Sequence, residues 1–342
     1  MKLFILAIAA ANIVAIAVGR ILIFGFQLNG FYDFFSKAKL FQIGIVYGIA
    51  VAFFIAFFFY VKNNFVKFLI LTLVSINFYM ILIFGVRSLW VAVICLMIFL
   101  ALILEFKLMM KLYFKLAILF IAVSSILFYF DFKFLKSPYL DVALGRAKSV
   151  VYVYDKFGEI LKGRADYFYN HEKFDLQEKW ARVGYDDVVW RMKIWSQTMK
   201  FTSGHYLLGK GYGLYPSYDV WGYQNPSSAF VDSNITPVHN EFLTIFYKTG
   251  FLGIILFLAI NFYVFIFSVR YIKNCNSKFI KLLLSGALGA LVFWHTVALF
   301  FDVIDSPPTS VLLWIFIGII FAAIAIDKRL SLNKQKCICG EY

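Results

Sequence analysis

Eight long apolar runs limit what this chain can fold into more than any other feature of its sequence. The runs cover residues 3–26, 40–61, 65–84, 88–104, 112–130, 241–267, 281–301 and 310–326. About 20 apolar residues are enough for a helix to cross the hydrocarbon core of a bilayer. The runs lack the alternation of apolar and polar residues that membrane β-strands show, so helices are the predicted spanning elements. We therefore predict an all-α integral membrane protein with about eight transmembrane helices.

The basic residues predict how these helices are oriented. The net charge is +14, and Lys and Arg concentrate in the connections on one side of the predicted membrane. The short connections on the other side contain Lys37, Lys39 and Arg87. Because cytoplasmic segments are enriched in Lys and Arg, both termini are predicted to be cytoplasmic and residues 131–240 to lie outside. The positive charge then reflects topology, and we expect no nucleic-acid partner.

The chain divides into four predicted parts. Residues 1–130 form a five-helix membrane bundle, and residues 131–240 form one large outer loop domain. Residues 241–326 add three more membrane helices, and residues 327–342 form a basic cytoplasmic tail. The tail contains Cys337 and Cys339, which supply two of the four ligands that a structural zinc site needs, so no metal site is predicted.

The outer loop domain is rich in aromatic residues, which disordered segments avoid. Residues 187–201 show helical spacing of Trp, Ile and Thr, which predicts an amphipathic helix on the membrane or over the bundle. A glycine triplet, Gly209, Gly211 and Gly213, follows this helix. Such glycines can cradle a phosphate or form a tight turn. The sequence favours the turn, because a phosphate loop needs a strand before it and a helix after it.

Several ionisable or polar residues lie where a membrane protein seldom places them. Arg87 stands in the short outer connection between the third and fourth runs. Its side chain either extends to the membrane interface as a structural, snorkelling arginine or has a functional role. His295 lies inside the seventh run, where a packed structural histidine and a functional one are equally compatible with the sequence. His239, Asn240 and Glu241 stand together at the start of the sixth run, where a helix cap is the simplest role for a polar residue.

Three segments in order resemble a known family. They are "WRMKIWSQTMKF" from Trp190, "HYLLGKGYG" from His205 and "HNEFLTIFYKTGFLGIILF" from His239. This order of arginine helix, glycine turn and His-Asn-Glu entry into a membrane helix resembles the O-antigen ligase family, which also includes O-antigen polymerases and related protein O-oligosaccharyltransferases. Members usually have around a dozen spans. This chain has eight predicted spans, and the spans that it lacks would lie before the outer loop. Either the chain is a compact member of the family or N-terminal residues are missing from this sequence.

The resemblance implies a reaction at the periplasmic face of the bacterial inner membrane. A glycan carried on undecaprenyl diphosphate passes to an acceptor hydroxyl, such as that of a glycan or the lipid A core, without metal or other cofactor. The family pattern assigns Arg191 and Arg87 to the diphosphate and His239 to the general base. Guanidinium forks match phosphate oxygens, and an imidazole can take a proton near neutral pH. We expect Asn240, Glu241, Gly211 and Gly213 to contact substrate, and His295 is a further possible site residue.

Other functions remain compatible with these features. An O-antigen polymerase would use the same chemistry with a second lipid-linked glycan as acceptor, and a protein O-oligosaccharyltransferase would use a protein hydroxyl. A transporter or flippase of lipid-linked glycan belongs to a different class. A flippase would need charged residues along an inner cavity, whereas here they gather on the outer face. This distribution favours an enzyme.

The predicted topology can be tested with reporter fusions. A reporter active only in the periplasm, fused after Asp175, should give signal, because Asp175 lies in the outer loop domain. The same reporter fused after Lys278 should be silent. The reverse pattern would contradict the orientation inferred from the basic residues and would place His239 on the cytoplasmic side.

Overall fold

The computed structural model describes residues 8–17, 33–84, 86–131, 133, 139–162, 175–212, 238–301, 303 and 307–339. Within these ranges the secondary structure is helical, with no strand. The helices are α1 (Ile8–Ala17), α2 (Asp33–Phe58), α3 (Asn64–Ile83), α4 (Arg87–Ile103), α5 (Phe106–Phe130), α6 (Tyr139–Asp155), α7 (Phe157–Leu161), α8 (Leu176–Phe201), α9 (Glu241–Asn274), α10 (Lys278–Ala298) and α11 (Pro307–Cys339). The predicted all-α fold class is confirmed.

Each of the eight predicted runs overlaps an apolar helix of the structure. Five helices are long and apolar enough to span a membrane, namely α3, α5, α9, α10 and the segment Thr309–Leu332 of α11. Three shorter apolar helices are α1, Ile43–Phe58 within α2, and α4. The chain is thus a multi-pass membrane protein, and the total of eight spans stays a prediction.

Helix α10 forms the centre of the bundle and packs against α2, α4, α9 and α11. In the most apolar stretch of α10, 78% of the residues are buried, whereas the corresponding share is 11% in α5 and in α9. Small residues allow the close approach, as is common between membrane helices. A Cβ on Gly289 would lie 2.9 Å from Leu96 Cδ1 of α4, and one on Gly48 would overlap the ring of Phe293. We therefore expect the exposed faces of α5 and α9 to meet lipid.

Two helices continue past the C-terminal ends of the apolar runs that predicted them. Helix α9 continues past residue 267 to Asn274, and α11 continues into the basic segment as far as Cys339. Lys and Arg are good helix formers, so a helix need not end where the hydrocarbon core of the membrane ends.

The outer segment contains more helix than the sequence predicted. Helix α8 begins at Leu176, where Asp175 accepts a hydrogen bond of 2.8 Å from the Glu178 N–H and caps the helix. The polar first half of α8 carries little apolar periodicity, which is why the prediction started only at residue 187. Helices α6 and α7 were not predicted, and α6 is the main partner of α8.

Helices α6 and α8 approach each other closely because each contributes a glycine. A Cβ on Gly145 would lie 2.7 Å from Trp180 Cβ, and a Cβ on Gly184 would lie 2.6 Å from Ser149 Oγ. Glu178 adds polar contacts, accepting hydrogen bonds from Lys148 and Tyr152 of α6 and from Arg182 of α8. These three donors lower the pKa of Glu178 to about 2, so its charge persists over the physiological range.

The helix pair α6–α8 lies at one end of the bundle. We call this end of the bundle the site face. Arg87 at the start of α4 contacts both α6 and α8, and Phe301 after α10 contacts His239 before α9. At the opposite end, Phe57 of α2 packs against Phe279 of α10. The site face therefore gathers segments that are distant in the chain around the start of α9.

Candidate functional site

Helix α9 is broken at Gly250, whose backbone has φ 66° and ψ −164°. A break in a membrane helix frees backbone N–H and C=O groups, which cost several kcal/mol each if they stay unsatisfied in lipid. Loop 205–211 after α8 binds these groups. The hydrogen bonds are Phe251 N to Tyr206 O (2.7 Å), Leu252 N to Leu207 O (3.2 Å), Lys210 N to Tyr247 O (2.8 Å) and Gly211 N to Lys248 O (2.9 Å). We call this set of four bonds the backbone lock.

The positions of Gly209 and Gly250 in the backbone lock leave no room for a side chain. Gly209 has φ 73°, and a Cβ there would lie 2.5 Å from the Lys248 carbonyl carbon. A Cβ on Gly250 would overlap the backbone of Leu207. The glycine segment is thus a turn that fits against a broken helix. Since the Gly211 N–H donates to Lys248, this amide is already engaged, and substrate binding by Gly211 stays a prediction. Gly213 lies outside the described residues.

The segment before α9 holds His239 in an unusual backbone conformation. His239 has φ 54°, in the left-handed region that non-glycine residues rarely adopt. The neighbours on both sides fix it there. Val238 O accepts a hydrogen bond of 3.0 Å from Trp195 Nε1, and Asn240 caps α9 by accepting 3.0 Å from the Leu243 N–H. Such strain persists only where the surroundings over-determine it, and it is concentrated at functional sites.

The His239 ring lies between aromatic side chains, one of which also contacts Arg191. Its centroid lies 5.0 Å from the Trp190 ring and 5.8 Å from the Phe301 ring. Arg191 Cζ lies 5.1 Å from the centroid of the same Phe301 ring. Burial, followed by the positive charge of Arg191, lowers the pKa of His239 to about 3, although Asp187 acts in the opposite direction. His239 is therefore a neutral imidazole at neutral pH.

Three arginines from three helices surround Asp187, and we call Arg87, Arg146, Arg191 and Asp187 the arginine cluster. Arg87 donates to Ser149 Oγ at 2.7 Å and to Gly184 O at 2.8 Å, and its Nη2 lies 3.9 Å from Asp187 Oδ2. Arg146 of α6 is ion-paired with Asp187.

The remaining contacts of the arginine cluster come from α8, which carries Trp180 as well as Asp187 and Arg191. Arg191 lies one helical turn after Asp187 on α8, which brings the two side chains to one face. Arg146 also stacks on Trp180, with its Cζ 4.9 Å from the ring centroid. The partial burial of Asp187 would by itself raise its pKa, but the positive charges of Arg146, Arg191 and Arg87 hold that pKa below its ordinary value. Asp187 is therefore ionised at neutral pH.

The structure brings together Arg87, Arg191 and His239, which the sequence had singled out. It adds Arg146 and Asp187, which sequence analysis missed. A signal for Asp187 existed, because it stands four residues before Arg191 on a predicted helix. Nothing in the sequence pointed to Arg146, because its partner lies on another helix and α6 was not predicted.

His295 lies apart from the arginine cluster. Its Nδ1 lies 2.8 Å from Leu291 O in the preceding turn of α10, and its ring packs against Phe242 and Phe257. Among the described residues, the ring neighbours of His295 are aromatic and none is an arginine. Glu241, the first residue of α9, is buried. Roles of His295, Asn240 and Glu241 toward a substrate stay predictions.

Comparison with known proteins gives one match. A family model described as O-antigen ligase matches residues 71–258, more than half of the chain, and this range includes α8, the glycine turn and the start of α9. No protein of curated function and no solved structure matches the chain significantly.

The backbone lock predicts that two glycines with positive φ tolerate alanine very differently. Gly250→Ala combines strain of about 1–2 kcal/mol from the left-handed backbone with a clash against Leu207. Gly211→Ala is the matched control, since Gly211 has φ 94° but open space around its Cβ position. Gly250→Ala should lower the free energy of unfolding in detergent well beyond Gly211→Ala. It should also speed hydrogen exchange at the amides that donate in the lock, those of Lys210, Gly211, Phe251 and Leu252. Equal stability and equal exchange in both variants would show that the lock does not hold α9.

Proposed function

Because the chain belongs to the O-antigen ligase family, we propose that it is a membrane glycosyltransferase acting on a lipid-linked glycan. It moves the glycan from undecaprenyl diphosphate to an acceptor hydroxyl at the periplasmic face of the bacterial inner membrane. The observation that supports this proposal best is the meeting of three arginines with a buried, neutral His239 at the mouth of a broken membrane helix.

The arginines suit the leaving group of this reaction. When the bond between sugar and diphosphate breaks, negative charge grows on the departing phosphate oxygen. Preorganised positive charge at that position is usually the largest single contribution to catalysis. Arg87 is held by Ser149 and Gly184, and Arg191 by its place on α8, so neither must reorganise much as the charge develops. A guanidinium fork also matches two phosphate oxygens at once.

His239 suits the acceptor, and its activation is coupled to the donor. With a pKa of about 3 the free imidazole is neutral but a weak base. A diphosphate bound at Arg191 would cancel the positive charge that helps lower this pKa. The imidazole then becomes a stronger base when the donor is in place. It takes the proton of the acceptor hydroxyl as the oxygen attacks the anomeric carbon, and the lipid diphosphate leaves.

The surroundings of the site suit a donor that is half lipid. Phe251 and Leu252, at the break in α9, are each 51% exposed, and the outward face of α9 beyond them is apolar. A polyprenyl chain in the bilayer can therefore run along this face with its diphosphate at the site face. The distribution of Lys and Arg supports assigning the site face to the periplasm.

Polymerisation is the second candidate function, since family membership includes it equally. It requires the same chemistry with a second lipid-linked glycan as acceptor. Transport of the lipid-linked glycan is less well supported. Transport requires charged groups along a path through the bundle, whereas the arginine cluster lies at one end of it.

The acceptor can be identified with purified protein and an undecaprenyl-diphosphate glycan. Each candidate acceptor is offered separately: lipid A core, a second lipid-linked glycan, and a protein with exposed Ser and Thr. We expect a product whose mass is that of one acceptor plus the glycan, with release of the lipid diphosphate. Absence of any product, with the donor intact and the protein folded, would contradict glycosyl transfer by this chain.

His239→Asn tests the base in the same assay. Asn can replace a hydrogen bond but cannot accept the proton, so transfer should fall about a hundred- to ten-thousand-fold. In the wild type, kcat/KM should show no acid limb from His239 above about pH 4, because the pKa in the free protein is about 3. The limb in kcat should lie at higher pH, since the bound diphosphate raises that pKa. Near wild-type transfer by His239→Asn would remove His239 as the base.

A further inference from the structure

We propose that Asp187 is an internal counter-ion that a phosphate of the donor replaces, and that Arg146 is a third arginine for the diphosphate. In the resting protein Asp187 neutralises part of the arginine cluster. When the donor binds, the Asp187 carboxylate moves away and a phosphate takes its place against Arg146 and Arg87. The proposal rests on the proposed function in one respect, namely that the ligand is a lipid-linked diphosphate.

The position of Asp187 is that of a bound anion. Its Oδ2 atom accepts from Arg146 Nη1 and lies 3.9 Å from Arg87 Nη2. Arg191 stands one turn away on the same helix and lowers the pKa of the Asp187 carboxyl. Two guanidinium groups, from α4 and α6, thus lie at one carboxylate group, and a third, from α8, acts on it through its charge. Oxygen atoms of a phosphate make the same kind of charge-assisted hydrogen bond.

Exposure indicates from which side a ligand would arrive. The Asp187 side chain is 38% exposed, whereas those of Arg87 and Arg146 are 19% and 18% exposed. The carboxylate is therefore the most accessible of these three groups. An anion coming from solution or from the membrane surface meets Asp187 before it can reach Arg146.

The arginines have other partners that keep them in place when Asp187 moves away. Arg87 retains its hydrogen bonds to Ser149 and Gly184, and Arg146 retains its stacking on Trp180. A cation over an indole ring is stabilised without any anion. The arginine cluster can therefore exchange a carboxylate for a phosphate without rebuilding its helices.

The net charge of the arginine cluster matches that of the donor, and local repulsion between like charges favours the exchange. Three arginines and one carboxylate leave the arginine cluster with two positive charges. A diphosphate esterified at both ends carries about two negative charges at neutral pH. With Asp187 still between the arginines, its like charge would oppose the second phosphate, and with Asp187 displaced both phosphates find guanidinium partners.

The test is binding of inorganic pyrophosphate to the detergent-purified full chain, measured by calorimetry at low ionic strength. Asp187→Asn keeps an oxygen for Arg146 but removes the competing charge. It should bind pyrophosphate about tenfold more tightly than the wild type, and the gain should shrink as salt is added. Binding no tighter than that of the wild type would overturn the counter-ion role.

Glu178→Gln is the matched control. Glu178 lies on the same helix, forms ion pairs with Lys148 and Arg182, and its change to Gln alters the net charge by the same amount. Pyrophosphate affinity should stay at the wild-type level in this variant. An equal gain in both variants would show a general charge effect and would also overturn the proposal.

Arg146→Lys tests the third arginine independently, in case Asp187→Asn does not fold. Lys keeps the charge but lacks the fork, so the dissociation constant of pyrophosphate should rise about tenfold. An unchanged constant would remove Arg146 from the site. As a readout that a structural role would not move, Asp187→Asn should lower the donor KM and also kcat, because the lipid diphosphate product leaves more slowly.

The two proposals fail in different ways. Tighter pyrophosphate binding by Asp187→Asn, without glycan transfer to any acceptor, would support the counter-ion and contradict the glycosyltransferase. Glycan transfer by the wild type, with pyrophosphate binding unaffected by Asp187→Asn, would contradict the counter-ion alone.

Discussion

The break in α9 and the backbone lock that closes it are the constraint on which the rest of the site depends. Backbone groups freed at Gly250 find partners in the loop after α8, so the two elements are joined by main-chain hydrogen bonds. Joining them sets α8 against the start of α9. Arg191 and His239 belong to these two elements, and both lie against Phe301. Main-chain bonds hold this arrangement without depending on side-chain rotamers.

The second organising interaction is electrostatic. Arg191 belongs to the arginine cluster and also helps to lower the pKa of His239. A negative ligand at the arginine cluster must therefore act on the histidine as well, through Arg191. The proposed mechanism uses this link, because the base gains strength only when the donor is bound. Binding and proton transfer are then ordered by charge alone, and no moving lid is required.

Two helices of the membrane bundle border the site in different ways, because α10 is packed on most sides and α9 is largely exposed. Helix α10 is enclosed on nearly all sides and carries Phe301 just beyond its end. Helix α9, by contrast, presents most of its apolar surface outward. One side of the site therefore stands on a packed core, and the other lies beside the outward apolar face of α9, along which we propose that the polyprenyl chain of the donor runs.

The sequence alone determined the properties that depend on local pattern. Apolar run length predicted an all-α membrane protein, and the ordered segments around Arg191, Gly211 and His239 predicted the family that the comparison then showed. Tertiary structure decided what depends on contacts between distant residues. It showed Arg146 and Asp187 meeting across α6 and α8, the break at Gly250, and the lowered pKa of His239. Hydropathy depends on the residues of each segment alone. Burial, charge pairing and the hydrogen bonding of backbone groups depend on which segments meet in the folded protein.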